Sequence, residues 1–148
     1  VIIGAGTVTK VSEVNNLSGL GCQMIVSPNT DKDVIKATKD KGMLSFPGVL
    51  TPSECFSAIN SGADALKIFP AFKLGIDGFK AMKAVLPSDV KTYGVGGINE
   101  NHFHEWLLAG LTGFGIGSNL FHPSMNDDDI KTKAKKIVIE YDSWFAQR

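Results

Sequence analysis

Cysteine is scarce in this chain, which has two in 148 residues, Cys22 and Cys55. They stand far apart with no histidine or cysteine beside them, which argues against a zinc pair or a disulfide framework and reads as reduced packing residues. Charge of one sign is lacking as well: fifteen basic residues balance fifteen acidic ones, for a formal net charge of zero. No polybasic run or arginine-aromatic cluster interrupts that balance, so broad attraction to nucleic acid or to an anionic membrane is not expected. Small anionic ligands need only a local pocket and stay open. No apolar run approaches the ~18 residues of a membrane span. The opening Val1-Ile2-Ile3-Gly4 has neither the basic region nor the cleavage pattern of a signal peptide, and the expected home is the cytoplasm. No linker or low-complexity stretch divides the chain, and residues 1–148 read as a single domain.

What is present is glycine at regular intervals. A glycine or proline recurs just ahead of each apolar run, at Gly21, Gly42, Gly62, Pro87 and Gly110, a spacing of about 20 to 25 residues that suits one strand plus one helix. The strand candidates are Val1–Ile3, Gln23–Val26, Leu44–Phe46, Ala65–Phe69, Thr92–Val95 and Phe114–Ile116, short and apolar enough to be covered on both faces of a parallel sheet. Thr51-Pro52-Ser53-Glu54 carries a capping threonine, a first-turn proline and a glutamate three residues on, which predicts a helix start. Thr30 and Asn99 are candidate caps of the same kind. Apolar residues between Ile130 and Phe145 recur at helical spacing, with Asp127-Asp128-Asp129 at the favourable end of the dipole. Phe103, Trp106 and Leu107, and likewise Trp144 and Phe145, are expected in the core. Six βα units fall short of the eight that close a barrel, which takes about 200 residues or more. Because Val1 opens directly on a strand candidate, the fold expected is an α/β (β/α)₈ TIM barrel entered at its third strand.

The chemistry of such folds collects at the C-terminal ends of the strands. Lys67 lies within Ala65-Leu66-Lys67-Ile68-Phe69-Pro70, where apolar neighbours make an ammonium costly to bury. Desolvation lowers an amine's pKa and frees it to attack a carbonyl carbon, so Lys67 is a candidate Schiff-base nucleophile. An edge lysine whose stem packs while its head reaches water is the plainer alternative. Gly4-Ala5-Gly6-Thr7-Val8 allows close backbone approach and offers the Thr7 hydroxyl, but it lacks the third glycine of a dinucleotide fingerprint. Gly96-Gly97 and Gly117-Ser118 follow the last two strand candidates, where barrels bind phosphate through backbone N–H groups. His102, His104 and His122 form no metal spacing.

Taken in order, Gly4-Ala5-Gly6-Thr7-Val8, Ile25-Val26-Ser27-Pro28-Asn29, Phe46-Pro47-Gly48, Leu66-Lys67-Ile68-Phe69-Pro70, Val95-Gly96-Gly97 and Gly115-Ile116-Gly117-Ser118 resemble the 2-keto-3-deoxy-6-phosphogluconate aldolase family across nearly the whole chain. The resemblance implies a class I aldolase, a homotrimer of barrels, that splits a phosphorylated 2-keto-3-deoxy sugar acid into pyruvate and glyceraldehyde 3-phosphate without metal or organic cofactor. It implies that Lys67 is the imine-forming lysine and that Thr7 holds the pyruvate carboxylate. By the same resemblance Pro28 and Phe69 line the pyruvate end, and Gly96, Gly97, Gly117 and Ser118 cradle the phosphate. Val95, together with Lys83-Ala84-Val85-Leu86-Pro87-Ser88-Asp89, looks closer to the 6-phosphogalactonate branch. The family's general-base glutamate and carboxylate-binding arginine have no counterpart after Val1 and are expected upstream. Glu13, Glu54 and Glu100 stand near helix starts, as caps would. A phosphosugar isomerase or epimerase would share the phosphate turns but place carboxylate or histidine at strand ends, and a non-catalytic sugar-phosphate binder would bind without turnover.

Overall fold

In the computed structural model, which describes residues 1–146, short strands and helices follow one another, with one strand interrupted at Pro47. The elements are β1 (Gly4–Gly6), α1 (Val11–Gly19), β2 (Met24–Val26), α2 (Lys32–Asp40), β3 (Leu44–Phe46), β4 (Gly48–Val49), α3 (Pro52–Asn60), β5 (Leu66–Ile68), α4 (Ala71–Lys83), β6 (Thr92–Val95), a 3₁₀ turn (Glu100–His102), α5 (Phe103–Leu108), β7 (Gly113–Gly115) and α6 (Asp127–Ala146). All strand pairs are parallel, in one sheet ordered β1-β2-β3 and a second ordered β4-β5-β6-β7. Backbone bonds carry the pairing past Pro47, from Asp64 N to Ser45 O at 3.0 Å and from Lys67 N to Pro47 O at 2.9 Å. β4 therefore continues β3 in line across Pro47, and every other strand lies beside its chain predecessor, with no reversal of order.

The recurring glycines mark helix ends. Gly21, Gly42, Gly62 and Gly110 all take positive φ, between 70° and 95°, a left-handed conformation that side chains resist. The residue after each glycine bonds back to the last helical turn: Cys22 to Leu17, Met43 to Thr38, Ala63 to Ala58, Leu111 to Trp106. Thr51 and Glu54 form the expected reciprocal cap on α3, and Asn99 caps the 3₁₀ turn.

Several boundaries differ from the sequence expectation. The first strand is Gly4–Gly6 rather than Val1–Ile3, because parallel pairing aligns Gly4 with Met24 and leaves Ile3 outside the ladder, its carbonyl accepting from Gln23 N at 2.9 Å and its N–H donating to Gln23 Oε1 at 3.1 Å. The last strand begins at Gly113, not Phe114, set by its register with Tyr93. Asp31, not Thr30, caps α2, accepting from Asp33 N and Val34 N. The Thr30 hydroxyl instead donates to Gly48 O at 2.8 Å. Trp144 is buried, but Phe145 is exposed, its ring tilted against that of Tyr141 at 5.2 Å between centroids. Phe103, Trp106 and Leu107 are in the core as expected.

The sheet has two unlike faces. Ile25, Val49, Leu66 and Ile68 are buried in the apolar layers that the helices complete. Residues in register on the opposite face, Gly48, Lys67, Tyr93 and Gly113, share a side because paired parallel strands keep their side chains in phase.

Candidate active site

Lys67 is held at the middle of β5, between Gly48 of β4 and Tyr93 of β6. Its flanking residues Leu66 and Ile68 project into the helix-covered core, and both are fully buried. That anchors the strand and leaves Lys67 on the other face, where it is only 9% exposed. Among the described residues no carboxylate or hydrogen-bond acceptor meets its amine. The Nζ atom stands 4.2 Å above the centroid of the Phe69 ring, which sits two residues on and therefore on the same face. Burial lowers the Lys67 pKa below the ordinary lysine value, because the apolar surroundings disfavour the charged form. On the same face the rings of Phe46 and Tyr93 meet at 5.3 Å, an apolar wall that the sequence reading did not single out. The Thr92-Tyr93-Gly94-Val95 alternation was its only local signal.

Phe69 links the amine to the next feature. A Cβ added at Gly96 would lie 3.4 Å from two atoms of the Phe69 ring, and one at Gly97 would lie 2.6 Å from the Phe72 Cβ. The Gly96-Gly97 turn, with φ of 88° and 74°, is thus pressed between two phenyl groups, and Phe72 N donates to Gly96 O at 3.1 Å. Both positions need glycine for conformation and for room.

Val95, Gly96, Gly97, Gly117 and Ser118 line one cavity of about 270 Å³, together with Ile98, Asn99, Gly115 and Asn119. The backbone N–H groups of Gly97, Ser118 and Asn119 meet no protein acceptor among the described residues. Such uncommitted donors around a neutral hollow suit an anion. Gly117-Ser118 opens a single turn closed by Leu120 N and Phe121 N on Gly117 O. Asn99 is readable in the sequence only as a cap and Asn119 not at all, because only the fold brings them to the cavity.

Thr7 and Pro28 stand at the C-terminal ends of β1 and β2. Thr7 has φ of 60°, a left-handed conformation uncommon for a β-branched residue, and such strain, about 1–3 kcal/mol, clusters at functional sites. Gly48 lies so close to the Pro28 carbonyl that any side chain there would collide with it. Thr7 lies three strand positions from β5, roughly 14 Å if the sheet were flat.

The glutamates are otherwise engaged. Glu13 accepts from Thr9 N and Lys10 N, and Glu54 from Leu50 N and Thr51 N; those bonds pull the Glu54 pKa below its ordinary value. Glu100 departs from the expected capping role: its carboxylate accepts from Asn119 Nδ2 at 3.0 Å and pairs with Lys136 Nζ at 2.8 Å. His102 Nδ1 accepts from Asn99 N, and the His104 ring sets its edge on Trp144.

A parallel α/β sheet with a desolvated lysine in mid-strand on one face and an anion-sized hollow past the C-terminal ends of β6 and β7 has the groups that chemistry on a phosphorylated carbonyl compound requires. The comparisons with known proteins narrow it. Residues 1–136 match the aldolase family described as KDPG and KHG aldolase, and the chain belongs to that family. It is similar to the 2-dehydro-3-deoxy-6-phosphogalactonate aldolase of Escherichia coli K12, at 41% identity over 140 residues, 95% of this chain and 68% of that protein. A solved structure described as native KDPGal superposes with a TM-score of 0.96 at 40% identity, covering 98% of this chain and 70% of the other. The KDPG aldolase of Legionella pneumophila, solved with pyruvate captured as a covalent carbinolamine, superposes at 0.74 with 29% identity, covering 95% of this chain and 66% of that one. The chain spans about two thirds of the length of these proteins.

Proposed function

We propose that the protein is a class I aldolase that cleaves a 2-keto-3-deoxy-6-phospho sugar acid, of the 6-phosphogalactonate type, to pyruvate and glyceraldehyde 3-phosphate. The observation that carries the reading is Lys67: a buried amine without an acidic partner among the described residues, its pKa lowered by desolvation. The amine attacks the C2 ketone to give a carbinolamine, and loss of water leaves an iminium ion. The C3–C4 bond then breaks, its electron pair moving into the iminium as the C4 hydroxyl surrenders its proton, so the aldehyde departs and an enamine remains. Protonation at C3 and hydrolysis release pyruvate and restore the amine. Proton transfer at C4 and C3 requires one positioned acid–base, a task for which Glu13, Glu54 and Glu100 are already committed to other partners.

Thr7 is assigned to the pyruvate carboxylate, with Pro28 and Phe69 along the pyruvate end. Val95, Gly96, Gly97, Gly117 and Ser118 are assigned to the phosphate, whose binding energy orients the reacting bond. For Thr7 and Lys67 to reach one three-carbon unit, the sheet must curl. Strand order without reversal, with the right-handed crossovers that parallel strands take as a rule, puts every helix on one face and supports a (β/α)₈ barrel with Lys67 inside. A homotrimer in the cytoplasm accompanies this reading.

Treatment of the protein with pyruvate and borohydride should add a reduced pyruvyl group to the peptide containing Lys67. Unmodified Lys67 in that experiment would end the proposal. Pyruvate release from the two epimeric substrates, compared side by side, tests the galactonate preference.

A further inference from the structure

The two turns that form the anion hollow belong to different strands, β6 and β7, and a phosphate held by both requires their spacing to be fixed. Backbone pairing of Val95 with Gly115 sets that spacing only up to the strand ends. Beyond it, one carboxylate joins the two loops. Glu100, three residues past Gly97, accepts from the side chain of Asn119, which lines the cavity and follows Ser118. The other Glu100 oxygen pairs with Lys136 of α6 at 2.8 Å, and Lys133, one turn earlier on that helix, donates to Asn119 O at 3.0 Å. The Glu100 side chain is 14% exposed, and Lys136 first, then its own backbone N–H and the Asn119 amide, hold its carboxyl down to about 2. It is ionised, and both bonds are charge-assisted throughout the neutral range.

We propose that Glu100, anchored by Lys136, is a positioning residue that clasps the two halves of the phosphate site without touching phosphate itself. The clasp rests on the aldolase reading for the identity of the substrate, but its effect on anion binding does not. Without it no side-chain bond among the described residues joins the β7 turn directly to the 3₁₀ turn, which leaves the strand ladder and the Lys133 bond to α6, and the N–H groups of Gly97 and Ser118 lose their fixed spacing.

The test uses Glu100→Ala and Lys136→Met in the whole protein, with three measurements: the Kd of inorganic phosphate by calorimetry, KM for the phosphorylated keto acid against 4-hydroxy-2-oxoglutarate, and the rate of borohydride trapping with pyruvate. Both variants should raise the phosphate Kd and the KM for the phosphorylated substrate, about fivefold or more for Glu100→Ala. KM for the unphosphorylated keto acid and the trapping rate should stay at the level of the unaltered protein. Should Glu100→Ala fail to fold, Lys136→Met decides alone, since its head group lies on the surface. Unchanged phosphate affinity in the folded variants, or equal losses for both keto acids, would overturn the clasp. Failure of the unaltered protein to trap pyruvate would instead overturn the aldolase assignment, leaving the phosphate measurement to judge Glu100 independently.

Discussion

Replacing Lys67 by methionine separates the chemical role of the amine from its structural one. The two side chains are similar in length, so the stem can keep its contacts on the β5 face, and the change removes the amine while a sulfur takes the place of one methylene. Two stability effects then oppose each other. Loss of the ammonium over the Phe69 ring, at 4.2 Å, costs about 0.5–2 kcal/mol. Relief of the desolvation that lowers the Lys67 pKa returns free energy of the opposite sign. The net change is expected within about 1 kcal/mol, a shift of roughly 2–4 °C in Tm for a domain of this size. Its pH dependence carries a definite sign. A lysine with a lowered folded-state pKa binds fewer protons folded than unfolded, between that value and its ordinary one of 10.5. Stability therefore rises with pH through that window. Folded Lys67→Met lacks that rise, so any stability advantage it holds near neutrality should shrink as the solution becomes alkaline. Turnover should fall on the order of 10³-fold or more, as when a covalent nucleophile is removed. Pyruvate release coupled to lactate dehydrogenase, with thermal melts from pH 7 to 11, gives both answers. A folded variant retaining more than about a hundredth of the rate would refute the Schiff-base role.

Two further outcomes follow from the geometry. Gly97→Ala forces a side chain into a φ of 74° and against the Phe72 Cβ, so it should raise KM for the phosphorylated substrate while pyruvate trapping at Lys67 persists; steady-state kinetics with the trapping assay decides. Thr51→Ala removes the hydroxyl that accepts from Glu54 N at 3.3 Å and should cost about 0.5–2 kcal/mol, read by urea denaturation, with kcat unchanged.

Local chemistry made much of this molecule readable in its sequence. Glycine at 21, 42, 62 and 110 marks helix ends because left-handed φ is a property of single residues. Thr51, Pro52 and Glu54 likewise declare a helix start within four positions. Lys67 could be recognised because Leu66 and Ile68 beside it are strongly apolar, and the fold buries both. Where register decides, the sequence misled: Val1–Ile3 are more apolar than Gly4–Gly6, yet Met24 pairs with Gly4. Thr30 and Asp31 are both capable caps, and the choice fell to Asp31 once Thr30 engaged Gly48 across the sheet. The Phe46–Tyr93 contact and the Glu100–Asn119–Lys136 chain join residues distant in sequence, and no window of neighbouring residues encodes them.

The glycine stops at the ends of α1, α2, α3 and α5 lie at the opposite end of the sheet from Lys67 and the anion hollow. Folding and reactivity are thereby assigned to separate poles. Changes at the reactive pole can redirect substrate choice without disturbing the stops that restart each strand, so a scaffold of this type can acquire new specificities by altering loops at one pole alone.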